Sequence, residues 1–537
     1  MKRMISWSVC LLLLLQGSAV PVYGEGEKPE ETKEETKEEE TKDTENETNE
    51  KETDKQDETK EEEETYQGSI SGILNADGRQ VFTAQQNINS GGSAQSIFAV
   101  KNGGSLMADE MKLQKSGDST IENRKNDTGV NAMAAAVNPK SLLQITKSDM
   151  SSISANAAVI FAADGAMVYG KQLTLSSTGI GADGIRCAFG ASVFGAELKV
   201  TANGNESAAI AMGKGGGQVS LADSELYTHG ADSPLLLVNG LAEVREVSGT
   251  ATGSAIASIT EGSTVRMDHA RFTSTWKNTA NHSGTAHAIE ISGTKGKEAK
   301  LQIEHSTIAS LIDSGAVISV VNTPLSLVLS DSDFSYNTDA ASLIRMAGEQ
   351  AKVKISAHGE TMQGTIETCE GASADIYLME GSVYAGSLQR DDAEAEEQKT
   401  KMNVSLDASS VWILNGDCTV DDLVLEEGAQ ITDEEDRLVT IIADGHRVVY
   451  GNSDYVLHVN GTFSREGDFT KADALEKFKI DRKAFEEAVK EKDADDPDPA
   501  PAPPEPEPPV SNGNLSALVA GTCVMILAVI TMIIRKK

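Results

Sequence analysis

Residues 209–221 read AIAMGKGGGQVSL, which is a short apolar stretch, a glycine turn and a second apolar stretch. The next copy of this unit begins at residue 234 and reads PLLLVNGLAEV. Polar Ser, Thr, Asn and Asp residues connect one unit to the next. Further copies occupy residues 97–107, 158–169, 184–194 and 255–267. Repetition of one strand–turn–strand unit is therefore the main feature of this chain.

The turn residues of these units recur at a nearly constant spacing. Gly165, Gly190, Gly216, Gly240 and Gly262 are 25, 26, 24 and 22 residues apart. The series then continues at Gly293, Asn322, Gly348 and Gly371. A period of about 20 to 30 residues is typical of solenoids, and the apolar stretches are too short and too β-branched for helical repeats. We therefore expect coils of two or three short parallel strands, with Gly, Asn or Asp taking positive φ at the corners.

The repeated part of the chain also resembles a known family. Residues 184–431 are similar to bacterial right-handed parallel β-helix surface proteins, which are pectin-lyase-like in fold and often adhesin-like. The stretches that carry the resemblance are residues 208–219, 247–254 and 404–417. The resemblance implies an all-β, right-handed parallel β-helix fold and a location at the cell surface, and the repeat pattern extends the predicted β-helix over residues 66–432. It implies no catalytic residues, because the family has no catalytic motif to transfer.

Both ends of the chain are typical of a membrane-anchored, secreted protein. Residues 1–24 combine two basic residues, an apolar run and small residues, which is the pattern of a signal peptide. Residues 515–534 are twenty residues without a charge, and at ~1.5 Å per residue a helix of this length spans a bilayer. The basic residues 535–537 follow at once and predict a cytoplasmic tail. We expect a single-pass protein of the cell membrane whose ectodomain is extracellular.

Charge and composition set apart the segments beside these ends. Residues 25–65 repeat a Glu-Glu-Thr-Lys unit and have almost no apolar side chain, which predicts a disordered segment, with a solvated single helix as the alternative. The net charge of −36 argues against nucleic acid and anionic lipid as partners. Residues 493–514 contain a proline-rich run, which predicts an extended spacer.

A capping segment is expected between the coils and this spacer, at residues 433–492. Its first part, residues 437–463, reads as a few strands that close the open end of the solenoid. Residues 471–492 read as an amphipathic helix whose apolar residues are Leu475, Phe478, Phe485 and Val489. We expect this helix to pack on the last coil as a cap, since terminal repeats need one. A free helix that binds a partner is the alternative.

The cysteines do not form a disulfide framework or a metal site. Cys187, Cys369 and Cys418 are the ectodomain cysteines, and they lack metal-ligand spacing. We expect them to be buried as small apolar residues. No cofactor is predicted.

Carboxylates and histidines give few candidates for chemistry. A lyase of this fold needs clustered carboxylates and a base, and a hydrolase needs two carboxylates about 5 to 9 Å apart. The candidates are Asp331 with Asp333 and the pair Asp421-Asp422, which we interpret as turn residues that bond to local backbone. Asp164 and Asp183 precede glycines and are interpreted in the same way.

The histidines are interpreted as surface or turn residues. His269 and His305 each lie near the outside of a predicted coil, and His282 and His287 lie in a polar loop. Their spacing along the chain does not indicate a metal site. No catalytic, cofactor-binding or metal-binding residue is therefore predicted.

The sequence predicts a non-enzymatic surface protein that binds a glycan, a matrix polymer or a neighbouring cell. One alternative is a polysaccharide lyase or hydrolase of the pectin-lyase-like fold, with Asp331 and Asp333 as its first candidates. A second alternative is a purely structural surface stalk.

Overall fold

The computed structural model describes residues 65–276, 285–391 and 400–490. The predicted signal peptide, the acidic segment up to residue 64, the proline-rich spacer and the membrane helix at 515–534 lie outside the described residues. Within the described ranges, no helix has both the length and the apolar character that crossing a membrane requires. The described chain is a parallel β-solenoid, which confirms the predicted β-helix fold.

The first sheet contains thirteen parallel strands in the described residues, one from each successive coil. In order along the sheet they are β1 (Gly72–Asp77), β4 (Ser96–Lys101), β7 (Ala134–Val137), β9 (Ile160–Ala163), β11 (Ile185–Cys187), β13 (Ile210–Met212), β16 (Leu236–Val238), β19 (Ala257–Thr260), β22 (His287–Ser292), β25 (Ala316–Val321), β28 (Ser342–Ala347), β31 (Ile366–Cys369) and β34 (Leu388–Asp391).

The second sheet follows the first around each coil and is also parallel. Its strands are β2 (Gln80–Ala84), β5 (Ser105–Asp109), β8 (Leu142–Ser152), β10 (Met167–Ser177), β12 (Ala191–Ala202), β14 (Gly217–Ala222), β17 (Gly240–Arg245), β20 (Thr264–Asp268), β23 (Ala299–Glu304), β26 (Leu325–Ser330), β29 (Lys352–His358), β32 (Ser373–Met379), β35 (Lys401–Leu406), β38 (Leu423–Leu425) and β43 (Phe463–Ser464).

The third sheet follows the second around each coil. The strands β8, β10 and β12 are long, and their second halves belong to this third sheet. Its other strands are β3 (Asn87–Ser90), β6 (Lys112–Lys115), β15 (Glu225–Thr228), β18 (Ser248–Ala251), β21 (Arg271–Ser274), β24 (Thr307–Ser310) and β27 (Asp333–Ser335), and the same side of the later coils holds β30 (Thr361–Gln363), β33 (Val383–Ala385), β36 (Val411–Leu414) and β39 (Gln430–Asp433).

The interior is filled by stacked aliphatic side chains. Alternate residues of each strand point inward, so that the same position on neighbouring coils forms a continuous column. One such column contains Leu301, Leu327, Ile355, Ile376 and Val404, all of which are buried. Every inner residue is therefore covered by the coils above and below it.

The corners follow the predicted turn chemistry. Gly165, Gly190, Gly216, Gly240, Gly262, Asn322, Gly348 and Gly371 all have positive φ, whereas Gly293 does not. Asp164 also has positive φ and is a turn residue as predicted. Asp183 differs, because its carboxylate is buried and accepts hydrogen bonds from Arg186 Nη1 at 2.8 Å and from the Ala208 N–H at 2.9 Å.

The C-terminal end of the solenoid carries a small fourth sheet. It consists of β37 (Cys418–Val420), β42 (Val456–Val459), β40 (Thr440–Ala443) and β41 (His446–Val449), with β40 and β41 antiparallel. The structure thus has strands in the segment where we predicted capping strands.

The predicted helix at 471–492 is wrong in both extent and position. Among the described residues only a 3₁₀ turn at Phe469–Lys471 and helix α2 at Lys483–Ala488 are helical in this segment, and residues 473–481 are non-helical. The other described helix, α1, is Ile121–Lys125. The segment leaves the last coil and runs back along the side of the solenoid, where the backbone and side chains of earlier coils satisfy its hydrogen bonds. In a helix, those backbone N–H groups would instead bond to carbonyls of the helix itself.

Candidate functional site

The outward-facing residues of the second sheet form one column along the solenoid, which we name the outer column. In order it contains Phe82, Met107, Gln144, Tyr169, Phe194, Ser220, Glu243, Arg266, Gln302, Val328, Ser356, Tyr377, Ser405 and Val424. Residues 465–490, which we name the C-terminal strap, run over this column from its last members back to Gln144. The strap therefore crosses most of the coils at right angles to their strands.

Charged groups hold the middle of the strap. The carboxylate of Glu243 accepts hydrogen bonds from the N–H groups of Lys479 at 2.6 Å and Ile480 at 2.9 Å, and from Arg266 Nη1 at 3.2 Å. Arg266 also pairs with Glu476 of the strap. Glu243 is 1% exposed and Arg266 is 2% exposed, so the ion pair is removed from water only because the strap lies over it.

Aromatic packing holds the end of the strap. The Phe485 ring of α2 meets the Tyr169 ring edge to face at 5.5 Å and stacks on Phe194 with centroids 6.1 Å apart. The side-chain amide of Gln144 donates to the Ala488 carbonyl at 2.8 Å. Phe485 and Val489 are buried, as the sequence predicted, but against the third to fifth coils rather than the last one.

The N-terminal half of the first sheet is covered as well. The Tyr66 hydroxyl donates to the Thr128 carbonyl at 2.7 Å, and the Tyr66 ring meets Phe189 edge to face at 5.8 Å. Asp127 is buried and pairs with Arg186, a residue that points outward from β11. The segment that begins the described chain and the loop around α1 thus close this part of the outer surface.

The C-terminal half of the first sheet is left open by these segments in the described residues. Its outward positions in successive coils are Ser258, Glu290, Ser319, Arg345 and Glu367, which we name the open face. Neighbouring strands are about 4.8 Å apart, so the open face carries hydroxyl or charged groups over about 19 Å. Ser319 is 5% exposed, whereas the other four residues are half-buried.

The ionisation of the open face is set by burial and by neighbouring charges. Burial, together with the smaller effect of the negative charge of Asp232, raises the pKa of Glu290 to about 7. Arg345 Nε lies 3.4 Å from Glu367 Oε2, so these two residues form an ion pair. His287, at the start of β22, accepts a hydrogen bond from the Ala316 N–H at 3.1 Å, and burial lowers its pKa to about 4.

The spacing of the carboxylates decides what chemistry the open face alone can do. Glu290 and Glu367 are separated by three strand steps, or about 14 Å. Retaining glycosidases need about 5 Å between their two carboxylates, and inverting ones need up to about 9.5 Å. These two glutamates therefore fit recognition of a ligand better than cleavage by paired carboxylates.

The carboxylates singled out in the sequence lie in structural positions. Asp331 has positive φ at a corner and Asp333 lies in β27. Asp421 pairs with Arg390 and accepts the Met402 N–H at 2.8 Å, and Asp422 accepts the Thr462 N–H at 2.6 Å. Asp421 and Asp422 thus bond to backbone 19 and 40 residues away in the chain, and not to the local backbone that we predicted.

Sequence reasoning missed Glu360, which is fully buried at the corner after β29. Ser332 and Ser382 occupy the same position on the two neighbouring coils, and Glu360 forms hydrogen bonds with both of them. Its carboxylate accepts the N–H groups of Ser332 and Thr361, both at 3.0 Å, and its own N–H donates to Ser382 Oγ at 3.1 Å. Burial raises the pKa of Glu360 to about 7 in spite of these donors, and nearby Asp331 and Asp333 contribute to the rise.

Replacement of Glu360 by Gln should change how stability depends on pH. The folded pKa of about 7 exceeds the unfolded value of 4.5, so the folded state holds the proton more tightly. This contribution is complete below about pH 4.5 and is lost as the pH rises to about 7. Urea unfolding at pH 5 and pH 8 should show a larger loss of stability for the natural protein than for Glu360→Gln. Equal losses in the two proteins would contradict this assignment.

Two histidines that are far apart in sequence are brought together. His269 and His305 occupy the same corner of consecutive coils, and their rings stack with centroids 4.8 Å apart. His287 lies elsewhere, at the first sheet, and His282 lies outside the described residues. An alignment of the repeat units would have predicted this contact. Each of the two histidines directly follows the acidic last residue of a second-sheet strand, so both occupy the same position of the repeat.

The cysteines are buried as predicted. Cys187, Cys369 and Cys418 are free and buried. Burial raises the pKa of Cys187 to about 12 and that of Cys418 to about 11, which keeps both thiols protonated. They serve as small apolar residues.

Comparisons with known proteins add little to what the strands show. Neither the protein-family models nor the curated proteins give a match. One similar solved structure is a chain in the cryo-EM structure of the Vag8–C1 inhibitor complex, with 13% sequence identity and a TM-score of 0.36 over 68% of this chain and 100% of that chain. The parallel β-helix fold of this protein rests on its own strand register.

Proposed function

We propose that this chain is a membrane-anchored cell-surface protein, without enzymatic activity, that binds a glycan or matrix polymer along the open face. The observation that carries the proposal is the run of hydroxyl, carboxyl and guanidinium groups that follows the first sheet at Ser258, Glu290, Ser319, Arg345 and Glu367. The signal peptide and membrane helix read in the sequence support the location.

The chemistry of the open face matches the polar groups of a sugar polymer. At neutral pH a large part of Glu290 carries a proton, because its pKa is about 7, and it can donate a hydrogen bond to a hydroxyl or carboxylate oxygen. Arg345 supplies N–H donors in a planar fork that suits carboxylates.

The position of the strap determines where the described chain leaves the solenoid. Because Ala488 contacts Gln144, the described chain ends beside the third strand of the second sheet, far from the last coil. Thr65, where the described chain begins, lies next to Tyr66, which packs on Phe189. The segment that follows residue 490 therefore leaves the solenoid beside its N-terminal third.

Substitution of Arg345 by Ala is expected to weaken binding by about tenfold, or ~1.4 kcal/mol, because the ligand loses a charged donor. The measurement is a glycan array with the secreted ectodomain, followed by titration with the polymer that binds. Glu290→Gln keeps a donor in place and should bind nearly as well as the natural protein at pH 7. Lys199→Ala removes an exposed charge of the third sheet and serves as the matched control. Equal binding by Arg345→Ala and Lys199→Ala would contradict the open face as the binding site.

A polysaccharide hydrolase or lyase is the second candidate, and one observation favours it. Glu290 has the raised pKa of a general acid and lies near a second carboxylate, Asp232. Release of reducing or unsaturated sugar that is abolished by Glu290→Gln would establish this activity. Binding without product would leave the adhesive function.

A further inference from the structure

A compact group of three metal-binding side chains lies at the corner between the second and third sheets. Asp268 is the last residue of β20, His269 follows it, and His305 follows β23 on the next coil. Asp268 Oδ1 is 2.6 Å from His269 Nδ1 and 3.1 Å from His305 Nδ1. One ligand atom from each of the three residues lies within 4.8 Å of the other two.

The backbone fixes the two histidines in the same orientation. Both have positive φ, 53° for His269 and 46° for His305, which only a few residue types adopt readily. The His269 N–H donates to the Glu304 carbonyl at 3.2 Å, and the His305 N–H donates to the Ser330 carbonyl at 3.0 Å. The coil repeat thus holds the two rings one strand step apart, with an interplanar angle of 26°.

The surroundings of this group are acidic on one side and include the cation Arg245. Glu304 is paired with Asp268 across β20 and β23, and Asp331 occupies the corner position on the coil after His305. Arg245 Nε lies 3.3 Å from Asp268 Oδ2, so it engages the oxygen that does not face the histidines. Asp268 Oδ1 is hydrogen-bonded to both exposed imidazoles, and a metal ion would replace these two hydrogen bonds.

We propose that Asp268, His269 and His305 form a binding site for a divalent transition-metal ion of the Zn²⁺ class. Two imidazole nitrogens and one carboxylate oxygen are the donor set that such ions prefer. Zinc-to-nitrogen distances are about 2.0–2.1 Å, so two ligand atoms of a tetrahedral site lie roughly 3.3 Å apart. The 3.1 Å contact of Asp268 Oδ1 with His305 Nδ1 is close to this separation, and the 2.6 Å contact with His269 Nδ1 must lengthen, which rotation of the exposed imidazoles permits. The solvent side leaves a fourth position for water or for a group from another molecule.

This site is separate from the proposed ligand surface. The open face belongs to the first sheet, whereas the three ligands lie at the far corner of the second sheet. Loss of the metal site would leave polymer binding unchanged, and the two proposals can fail independently.

The test is titration of the full chain with Zn²⁺ after removal of metal by a chelator. Isothermal titration should show one tight equivalent above the weak background of the acidic segment. His269→Asn and His305→Asn should each weaken this binding by tenfold or more, and Asn is chosen because it tolerates positive φ and spares the fold. Saturating Zn²⁺ should raise the melting temperature of the natural protein and not of these variants.

His229→Asn is the matched control, because it removes an exposed histidine at a different corner of the solenoid. It should bind Zn²⁺ as the natural protein does. Titration with Co²⁺ gives a second readout, since visible absorption reports nitrogen ligands to that ion. The proposal is overturned if His305→Asn binds like His229→Asn, or if the natural protein shows no saturable equivalent.

Discussion

Replacement of Glu243 by Ala is expected to cost about 3–5 kcal/mol and to release the C-terminal strap. The carboxylate of Glu243 receives three hydrogen bonds, two from strap N–H groups and one from Arg266. Without it, Glu476 is the charged partner that Arg266 keeps among the described residues, in a site that is closed to water. Hydrogen exchange over residues 472–490, or trypsin cleavage after Lys477 and Lys479, measures the release directly.

The control for this prediction is Glu225→Ala. Glu225 forms an ion pair with Lys199 at 3.5 Å on the exposed surface, and such pairs contribute about 0–1 kcal/mol. The control should leave the strap protected. If Glu243→Ala leaves exchange of the strap unchanged, the ion pair does not hold the strap in place.

Replacement of Trp412 by Ala should destabilise the C-terminal coils by about 3–5 kcal/mol. Trp412 is fully buried, its ring stacks on Tyr384 with centroids 5.9 Å apart, and its indole N–H donates to the Gly386 carbonyl at 3.0 Å. The substitution leaves a large cavity and an unpaired carbonyl. Urea unfolding gives the free-energy change, and hydrogen exchange shows where it acts.

The effect of Trp412→Ala should remain local. Each coil of a solenoid contacts only its neighbours, so exchange should rise in β33, β36 and β39 and change little in the first five coils. Trp412→Phe refills most of the cavity but still lacks the N–H donor, and it should lose clearly less stability than Trp412→Ala. A uniform rise in exchange along the whole solenoid would show instead that the coils unfold together.

Local sequence predicted the coil with good accuracy. A strand needs only alternating apolar residues, and a corner needs a residue that adopts positive φ, so both are visible in a window of a few residues. Gly165, Gly190 and Asn322 have the predicted φ, whereas Asp421 and Asp422 accept hydrogen bonds from N–H groups 19 and 40 residues away in the chain. The period of 22 to 31 residues then sets how many coils are stacked.

The C-terminal strap is where local reasoning failed. The spacing of Leu475, Phe478, Phe485 and Val489 suits one face of a helix, and this predicted a helix over 471–492. Buried acceptors on distant coils, such as Glu243, bind the strap N–H groups in a non-helical conformation instead. Tertiary hydrogen bonds here outweigh a weak helix propensity, because the short helix has few internal bonds to offer.

The sequence by itself determined the solenoid, its corners, its aliphatic interior and the burial of its cysteines, since each of these depends on residues that are close in the chain or repeat at one period. Only the tertiary structure decided which faces stay open and which side chains meet. His269 and His305 are 36 residues apart, and the members of the open face come from five different coils. Stacking places equivalent residues of neighbouring coils about 4.8 Å apart. A site in this fold is therefore formed by residues from several coils rather than by residues that are close in the chain.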